Sequence, residues 1–216
     1  MPWKKQIPIL FRSLLAVGFA LGVFAGPVRG QDSSRFNVYL HGVLGTGLTF
    51  LSSPDIDNLM APYEVYGGPG WNSFVGVKMG FRKIAEIEYR MDLTWDHDLW
   101  LDEKLTMDQS TVGILFGKFN PLFMLFESPN LSTFVTYGFS NNAKFLDADN
   151  NGWKQGQLRS IGLAVSWIYK SFEWGISLES RKITYKTFIL DAAQVNIDTK
   201  ASQFMILVHV GGGFGF

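Results

Sequence analysis

The sequence contains no cysteine among its 216 residues, which excludes disulfide scaffolds, zinc–thiolate sites and catalytic thiols. Charged residues are scarce, at 18%, and the 19 basic residues balance the 19 acidic ones. A chain without net positive charge lacks the electrostatic footprint of a nucleic-acid-binding protein. Apart from the N-terminus, no run approaches the ~20 apolar residues that a membrane-spanning helix needs. Aromatic residues, in contrast, reach 15%, and this abundance excludes a disordered chain.

The N-terminus has the features of an export signal. It begins with basic residues at Lys4, Lys5 and Arg12, continues with an apolar run over residues 13–25 and ends in a short segment closed by Gly30. This order is typical of a secretory signal peptide. We therefore expect residues 1–30 to be a cleavable signal peptide and residues 31–216 to form the exported domain. A cut after Ala25 and an uncleaved anchor are the alternatives, although the apolar run is short for a membrane span.

From residue 36 onward, apolar residues alternate with small or polar residues, which is the period of a β-strand. Eight segments show this pattern, over residues 36–50, 71–82, 85–95, 111–117, 132–140, 160–169, 172–181 and 204–216. The fourth segment is the least regular. Its spacing predicts an apolar face with Val112, Ile114 and Phe116, and an opposite face with Thr111, Gly113 and Gly117.

Long and short linkers alternate between these segments. Long polar linkers are predicted over residues 52–70, 96–108, 141–157 and about 187–198. Tight turns are predicted near Arg82 and near Lys170, and a longer middle connection over about 120–130 contains two prolines. Long loops at one end and short turns at the other are typical of a transmembrane β-barrel.

The two faces of the strands differ in size and charge. The polar face carries small uncharged residues, such as Ser160, Gly162, Ala164 and Ser166, which suit the narrow interior of an eight-stranded barrel. The other face is bulky and apolar, with aromatic residues towards the strand ends, as expected for lipid contact. We predict an all-β fold, a single eight-stranded antiparallel transmembrane β-barrel with four long outer loops and short periplasmic turns. A soluble barrel of the lipocalin kind, with the apolar face inside, is the alternative.

A short hairpin over residues 77–89 and a C-terminal segment that ends in an aromatic residue resemble the small outer-membrane β-barrels of the OmpA/OmpX type. In that family, a terminal aromatic residue with apolar residues at alternate positions before it is recognised by the barrel-assembly machinery. The positions that match this signal are Val208, Val210, Phe214 and Phe216. The resemblance implies the outer membrane of a Gram-negative cell envelope. It covers the barrel only, without a peptidoglycan-binding domain.

Charged residues on the predicted inward face form a candidate lumen network. Its members are Lys78, Arg82, Glu86, Glu88, Arg90, Asp92, Glu173, Glu179 and Arg181. Four bases and five acids in a narrow lumen should pair, because an isolated buried charge is far more costly than a paired one. We expect these pairs to fill and stiffen the barrel. The alternative is a narrow solute path lined by the same charges.

The histidines and serines give no convincing catalytic set. His41 and His209 share the inward parity on strands that adjoin when the barrel closes, so they are either polar lumen fillers or a pair for metal binding or proton transfer. Ser110 and Ser202 lie near predicted loop ends, where His97 is the only histidine. We expect no enzyme activity, no cofactor and no resident metal.

Two outer loops carry further candidates. Asp147, Asp149 and Asn151, followed by Gly152, have the spacing that opens a calcium loop, but Leu158 occupies the position of the bidentate glutamate. An Asx-rich turn is favoured over weak calcium binding. The alternation resumes over residues 186–200, which predicts that the last two strands continue beyond the bilayer as a protruding hairpin. Its edge could pair with an extended partner segment.

These features together predict a non-enzymatic, surface-exposed structural protein that presents loops in an adhesin-like manner. A narrow porin-like channel for small solutes is the alternative. Apolar residues in the predicted loops favour surface contacts; they are Ile56, Leu59, Met60, Trp100 and Phe188. The expected partners are outer-membrane lipid and lipopolysaccharide, the barrel-assembly machinery and external proteins, with no nucleic acid.

Overall fold

Eight antiparallel strands form a closed barrel in the computed structural model of this protein, and β1 closes it by pairing with β8. The structure describes residues 38–52, 69–81, 84–96, 107–122, 130–146, 150, 152–169, 171–190 and 193–215. The strands are β1 (Val38–Ser52), β2 (Pro69–Phe81), β3 (Ala85–Asp96), β4 (Met107–Phe119), β5 (Leu131–Leu146), β6 (Gly152–Tyr169), β7 (Phe172–Leu190) and β8 (Ala193–Gly215). The predicted eight-stranded antiparallel fold is confirmed. The predicted signal peptide lies outside the described residues.

The barrel has two unlike ends. Short connections join β2 to β3 and β6 to β7, and we call this the turn end; the opposite end is the loop end. Long linkers leave the loop end after Ser52 and Asp96, as predicted. Among the residues that the structure describes, no helix is long and apolar enough to cross a membrane.

The outer surface of the barrel is apolar. Large side chains that alternate along the described parts of the strands are well exposed, from 38% at Ile206 to 62% at Ile161. Their neighbours in sequence are buried, so this apolar set faces outward, and small and charged residues face inward together with large rings such as Phe74 and Phe116. This arrangement excludes the lipocalin-like alternative, because a soluble barrel would bury its apolar face. Closure also pairs the backbone groups of all strands, as a hydrocarbon environment requires.

Glycines on the inward face make room for large rings. A Cβ atom at Gly80 would lie 2.0 Å from Cζ of Tyr39, and one at Gly45 would lie 2.1 Å from Cε1 of Phe74. Each of these rings therefore fills the space that the neighbouring strand leaves empty. The small inward residues on one strand and the large rings on its neighbour thus pack closely against each other.

A bulge in β4 reverses the predicted faces of that strand from Phe116 onward. Arg90 pairs with Ile114, whereas Asp92 pairs with Thr111, so β4 contains one residue more than β3 between these points. An extra residue moves every later side chain to the other face. Phe116 is consequently fully buried inside the barrel and Gly117 is exposed. The prediction that Phe116 faces outward and Gly117 inward was wrong for this reason.

The strands continue well past the lipid-facing zone at the loop end. β7 reaches Leu190 and β8 begins at Ala193, so the two strands continue as a hairpin, as the alternation over residues 186–200 predicted. The prediction of a long linker over about 187–198 is wrong for the same reason. The prediction of a long linker over residues 141–157 is wrong, because β5 continues to Leu146 and β6 begins at Gly152. The register between these two strands shifts on both sides of Ala143. These shifts interrupt the regular alternation, so the sequence pattern does not predict the loop-end parts of β5 and β6.

Candidate functional site

The lumen contains eight of the nine charged residues predicted to face it, and each is no more than 2% exposed. β2 supplies Lys78, β3 supplies the four charges of its alternating inward positions, and β7 supplies Glu173, Glu179 and Arg181. Arg82, the ninth, lies outside the described residues. Charges from opposite walls of the barrel therefore meet in its centre.

Glu173 is the centre of a group near the turn end. Its carboxylate forms an ion pair with the Lys78 ammonium. The Nδ1 atom of His41 lies 2.9 Å from Oε2 of Glu173, and Nε2 of His209 lies 3.1 Å from Oε1. The two histidines are thus brought together from the first and last strands, as their parity predicted, and both contact the same acid.

A second group beside it includes a lysine that sequence analysis missed. Lys118 contacts Glu88, and its Nζ lies 3.7 Å from Oε2 of Glu86. The Tyr39 hydroxyl donates to Glu86, and Nζ of Lys78 lies 3.4 Å from the same carboxylate. Lys118 faces inward because the β4 bulge shifts the parity of the strand. We call these two groups together the turn-end cluster.

Four charges form a separate central cluster in the middle of the lumen. Arg90 donates two parallel hydrogen bonds of 2.9 Å to the two oxygens of Glu179, and its Nε lies 3.1 Å from Asp92. Arg181 donates to Asp92 at 3.2 Å and to Glu179 at 3.1 Å. Two guanidinium groups and two carboxylates thus neutralise each other. Paired geometry of this kind is strong and directional.

Aromatic rings cover the central cluster. The Arg90 guanidinium carbon lies 3.9 Å from the centre of the Phe116 ring and 4.5 Å from that of Phe74. Cations are attracted to ring faces, and more strongly where water is excluded. The two phenylalanines therefore hold Arg90 in place and occupy lumen space that water would otherwise take.

An apolar cluster fills the lumen between the central cluster and the loop end. Trp153 is 1% exposed and packs against Phe145 with ring centres 6.0 Å apart. The other buried members are Leu51, Phe116, Ala143, Leu158, Ile183, Tyr185 and Ala201. Phe188 packs on Trp153 at 5.0 Å. The prediction that Phe188 is an exposed contact residue was therefore wrong, since it lies on the Trp153 ring. We call this set the loop-end plug.

The histidine pair makes hydrogen bonds in the lumen and is not part of a wider ligand set. Among the described residues, no group of three or more histidine, cysteine, aspartate or glutamate side chains is arranged to hold a metal ion. Nε2 of His209 also lies 3.4 Å from the Ser166 hydroxyl. The filler interpretation accounts for these contacts.

The remaining candidates divide between the outer wall and the undescribed parts of the chain. Val208, Val210 and Phe214 face outward and are 46–49% exposed, as their alternation predicted. Ser202 is exposed on the outer face, and the Ser110 side chain lies outside the described part. Other candidates outside that part are His97, Phe216, Ile56, Leu59, Met60, Trp100 and the calcium-loop residues Asp147, Asp149 and Asn151.

No protein-family model and no curated protein matches the chain. Among solved structures, the chain is similar to Neisserial surface protein A, with a TM-score of 0.51 and 9% identity over 86% of this chain and 100% of that one. Another similar structure is the N-terminal β-barrel domain of OprF from Pseudomonas aeruginosa, with a TM-score of 0.40 and 15% identity over 86% of this chain and 100% of that one. At such low identity the first likeness establishes the fold alone. The chain therefore has the fold of the small eight-stranded outer-membrane β-barrels.

Proposed function

We propose that this protein is a non-enzymatic outer-membrane barrel with a closed interior, which acts as a rigid stem for strands that project from the membrane. The observation that carries the proposal is the filled lumen. The turn-end cluster, the central cluster and the loop-end plug follow one another along the barrel, and their members are almost fully buried. Such an interior supports a structural role and opposes the channel alternative, which needs a continuous water path.

The closed lumen is testable by planar-bilayer recording of the refolded chain. We expect no steady conductance from bilayers in which insertion is verified by the heat-dependent gel mobility of folded barrels. A water-filled porin recorded in the same lipid provides the positive control. Steady conductance with an ion selectivity that changes in Glu179→Gln would overturn the closed-lumen proposal, because Glu179 lies in the central cluster.

The projecting strands support a role at the cell surface. A transmembrane strand needs about 9–11 residues, whereas β7 contains 19 and β8 contains 23. The extra length carries exposed basic residues, which are Lys182 and Lys186 on β7 and Lys200 on β8. This change from apolar to polar is expected where strands leave the bilayer. We infer that the extension lies outside the cell and presents an adhesin-like surface to external proteins.

The most accessible part of this surface is the β7–β8 hairpin. Val195 on β8 is 50% exposed, although it is apolar. In the described part of the chain, this stretch of β8 pairs with β7 alone. An exposed apolar strand of this kind supports contact with an extended partner segment, in which backbone hydrogen bonds supply the affinity.

Cell adherence tests this role. We expect cells that display the barrel to adhere to immobilised collagen, fibronectin or laminin, and Val195→Lys to reduce adherence several-fold, because an edge lysine opposes strand pairing. Gln194→Lys is the matched control, since Gln194 is the exposed polar neighbour. An epitope inserted between residues 190 and 193 measures display on intact cells. Equal adherence of wild type, Val195→Lys and cells without the barrel would contradict the adhesin-like role.

Export and assembly belong to the same proposal. The signal peptide over residues 1–30 would direct the chain across the inner membrane. The outward-facing apolar residues Val208, Val210 and Phe214 would then be recognised by the barrel-assembly machinery together with Phe216. Replacing Phe214 and Phe216 with serine should lower the amount of folded barrel in the membrane fraction and leave synthesis unchanged. Unchanged membrane yield would argue against this assembly signal.

A further inference from the structure

A pair of basic residues lies on the outer wall of the barrel, at the border between its apolar and polar zones. Arg159 on β6 and Lys182 on β7 are direct partners in the strand register, and both side chains are exposed. Residues directly opposite each other in an antiparallel pair have Cβ atoms about 4.5–5.5 Å apart, and like charges there are destabilising. The fold thus places two positive charges side by side.

In the part of the chain that the structure describes, no ion pair offsets these two charges. The ion pairs of the described residues include neither Arg159 nor Lys182. On β5 the register partner of Arg159 is Phe139, and on β8 the partner of Lys182 is Ser202. The Arg159 guanidinium donates to the Tyr137 hydroxyl at 2.7 Å. This bond holds the guanidinium at the Tyr137 hydroxyl, which is uncharged and does not neutralise it.

The position of the pair relative to the apolar wall indicates what kind of anion would neutralise it. Ile161, two residues along β6 from Arg159, is 62% exposed, and Phe204, two residues along β8 from Ser202, is 43% exposed. Phe139, beside Arg159, is 41% exposed. Aromatic residues gather at the level of lipid headgroups, and long basic side chains extend from an apolar wall towards the same level. The phosphate of a lipid headgroup would lie at this height, and its acyl chains would cover the apolar wall below.

Further basic residues extend the patch away from the membrane. Lys200 is exposed on β8 beside Thr184, and Lys186 is exposed on β7, with Asp198 as the acidic neighbour. Arginine binds phosphate through two parallel hydrogen bonds, and lysine adds a point charge. Several cations in succession suit a headgroup that carries more than one phosphate.

We propose that Arg159 and Lys182 form a binding site for a phosphorylated lipid of the outer leaflet, with its phosphates on the basic pair and its acyl chains on Ile161 and Phe204. The site rests on the proposed membrane location of the barrel but not on a closed lumen or an adhesin-like role. Its occupant removes the repulsion between the two cations and orders the wall formed by β6, β7 and β8.

Native mass spectrometry of the refolded chain in detergent micelles tests the site. The probes are lipid A with two phosphates, its monophosphoryl form, phosphatidylcholine and inorganic phosphate. We expect the protein to retain diphosphoryl lipid A most strongly, monophosphoryl lipid A less strongly and phosphatidylcholine least. The double variant Arg159→Gln, Lys182→Gln should lower the affinity for the diphosphoryl lipid at least tenfold. The exchange variant Arg159→Lys, Lys182→Arg keeps both charges and serves as the matched control, with affinity close to wild type.

Two results would overturn the proposal. One is equal retention of phosphatidylcholine and diphosphoryl lipid by the wild-type chain. The other is unchanged affinity in the double glutamine variant, which we expect to fold because both side chains lie on the exposed outer wall. Binding of inorganic phosphate as tight as that of the lipid would also overturn it, since the acyl chains would then contribute nothing. None of these results changes the conductance or adherence measurements, so the two proposals fail separately.

Discussion

Replacing Arg90 with alanine should destabilise the barrel strongly. The guanidinium is 2% exposed and donates both hydrogen bonds of a bidentate pair with Glu179 at 2.9 Å. Without it, Glu179 and Asp92 share the single charge of Arg181, so one negative charge in the buried cluster has no partner. Removing one member of a buried ion pair costs about 3–5 kcal/mol, mainly because the remaining charge is uncompensated. We expect a loss of that size in the free energy of unfolding.

Urea titration in lipid vesicles, followed by tryptophan fluorescence, measures this loss. The matched double variant Arg90→Ala, Glu179→Gln removes one charge of each sign and should recover part of the stability, since Asp92 and Arg181 remain as a balanced pair. Such a cycle isolates the coupling between the two residues. A loss below about 1 kcal/mol for Arg90→Ala, within the range of exposed ion pairs, would refute the reasoning, because it would mean that water enters the lumen.

Two further substitutions examine the packing around the clusters with the same titration. Lys118→Ala should cost about 3–5 kcal/mol, because Glu88 loses its contact and the turn-end cluster gains an uncompensated charge; a wild-type unfolding midpoint would contradict the inward position of Lys118. Gly80→Ala should cost about 1–3 kcal/mol by overpacking, because the added Cβ would lie 2.0 Å from the Tyr39 ring. In the control Gly117→Ala, the nearest atom is 4.0 Å away, so a loss as large as that of Gly80→Ala would rule out the steric explanation.

The sequence alone predicted the fold and most of the lumen network, because both follow from the two-residue alternation of a β-strand. In an uninterrupted strand, every second residue faces inward. Glu173, Glu179 and Arg181 lie at such positions on β7, and the structure places all three in the lumen. The same alternation predicted that His41 and His209 face inward, and closure of the barrel predicted that their strands adjoin. Long regular strands thus make the positions of their charges predictable.

The errors occur where a strand contains an extra residue. The bulge before Ile114 places Lys118 and Phe116 inside the barrel. The register shifts around Ala143 interrupt the alternation, so the loop-end parts of β5 and β6 were not predicted as strand. Gln155, in the shifted part of β6, has a positive φ of 55°, which few residues other than glycine adopt. Nothing in the local composition marks these positions. They depend on how a strand fits its two neighbours, and one sequence does not reveal that fit.

The bulges and the charge balance of the lumen are connected. Without the β4 bulge, Lys118 would face lipid, and Glu88 would lose the ammonium that it contacts. The described lumen would then hold an additional unpaired acid, and the apolar outer wall would carry a charge near the turn end, both of them costly. A single inserted residue avoids both costs at once. Deleting Gly113 should remove the bulge and leave Lys118 in the lumen, because Thr111 and Ile114 keep their β3 partners Asp92 and Arg90 without the extra residue; loss of the folded barrel in refolding assays would contradict this register.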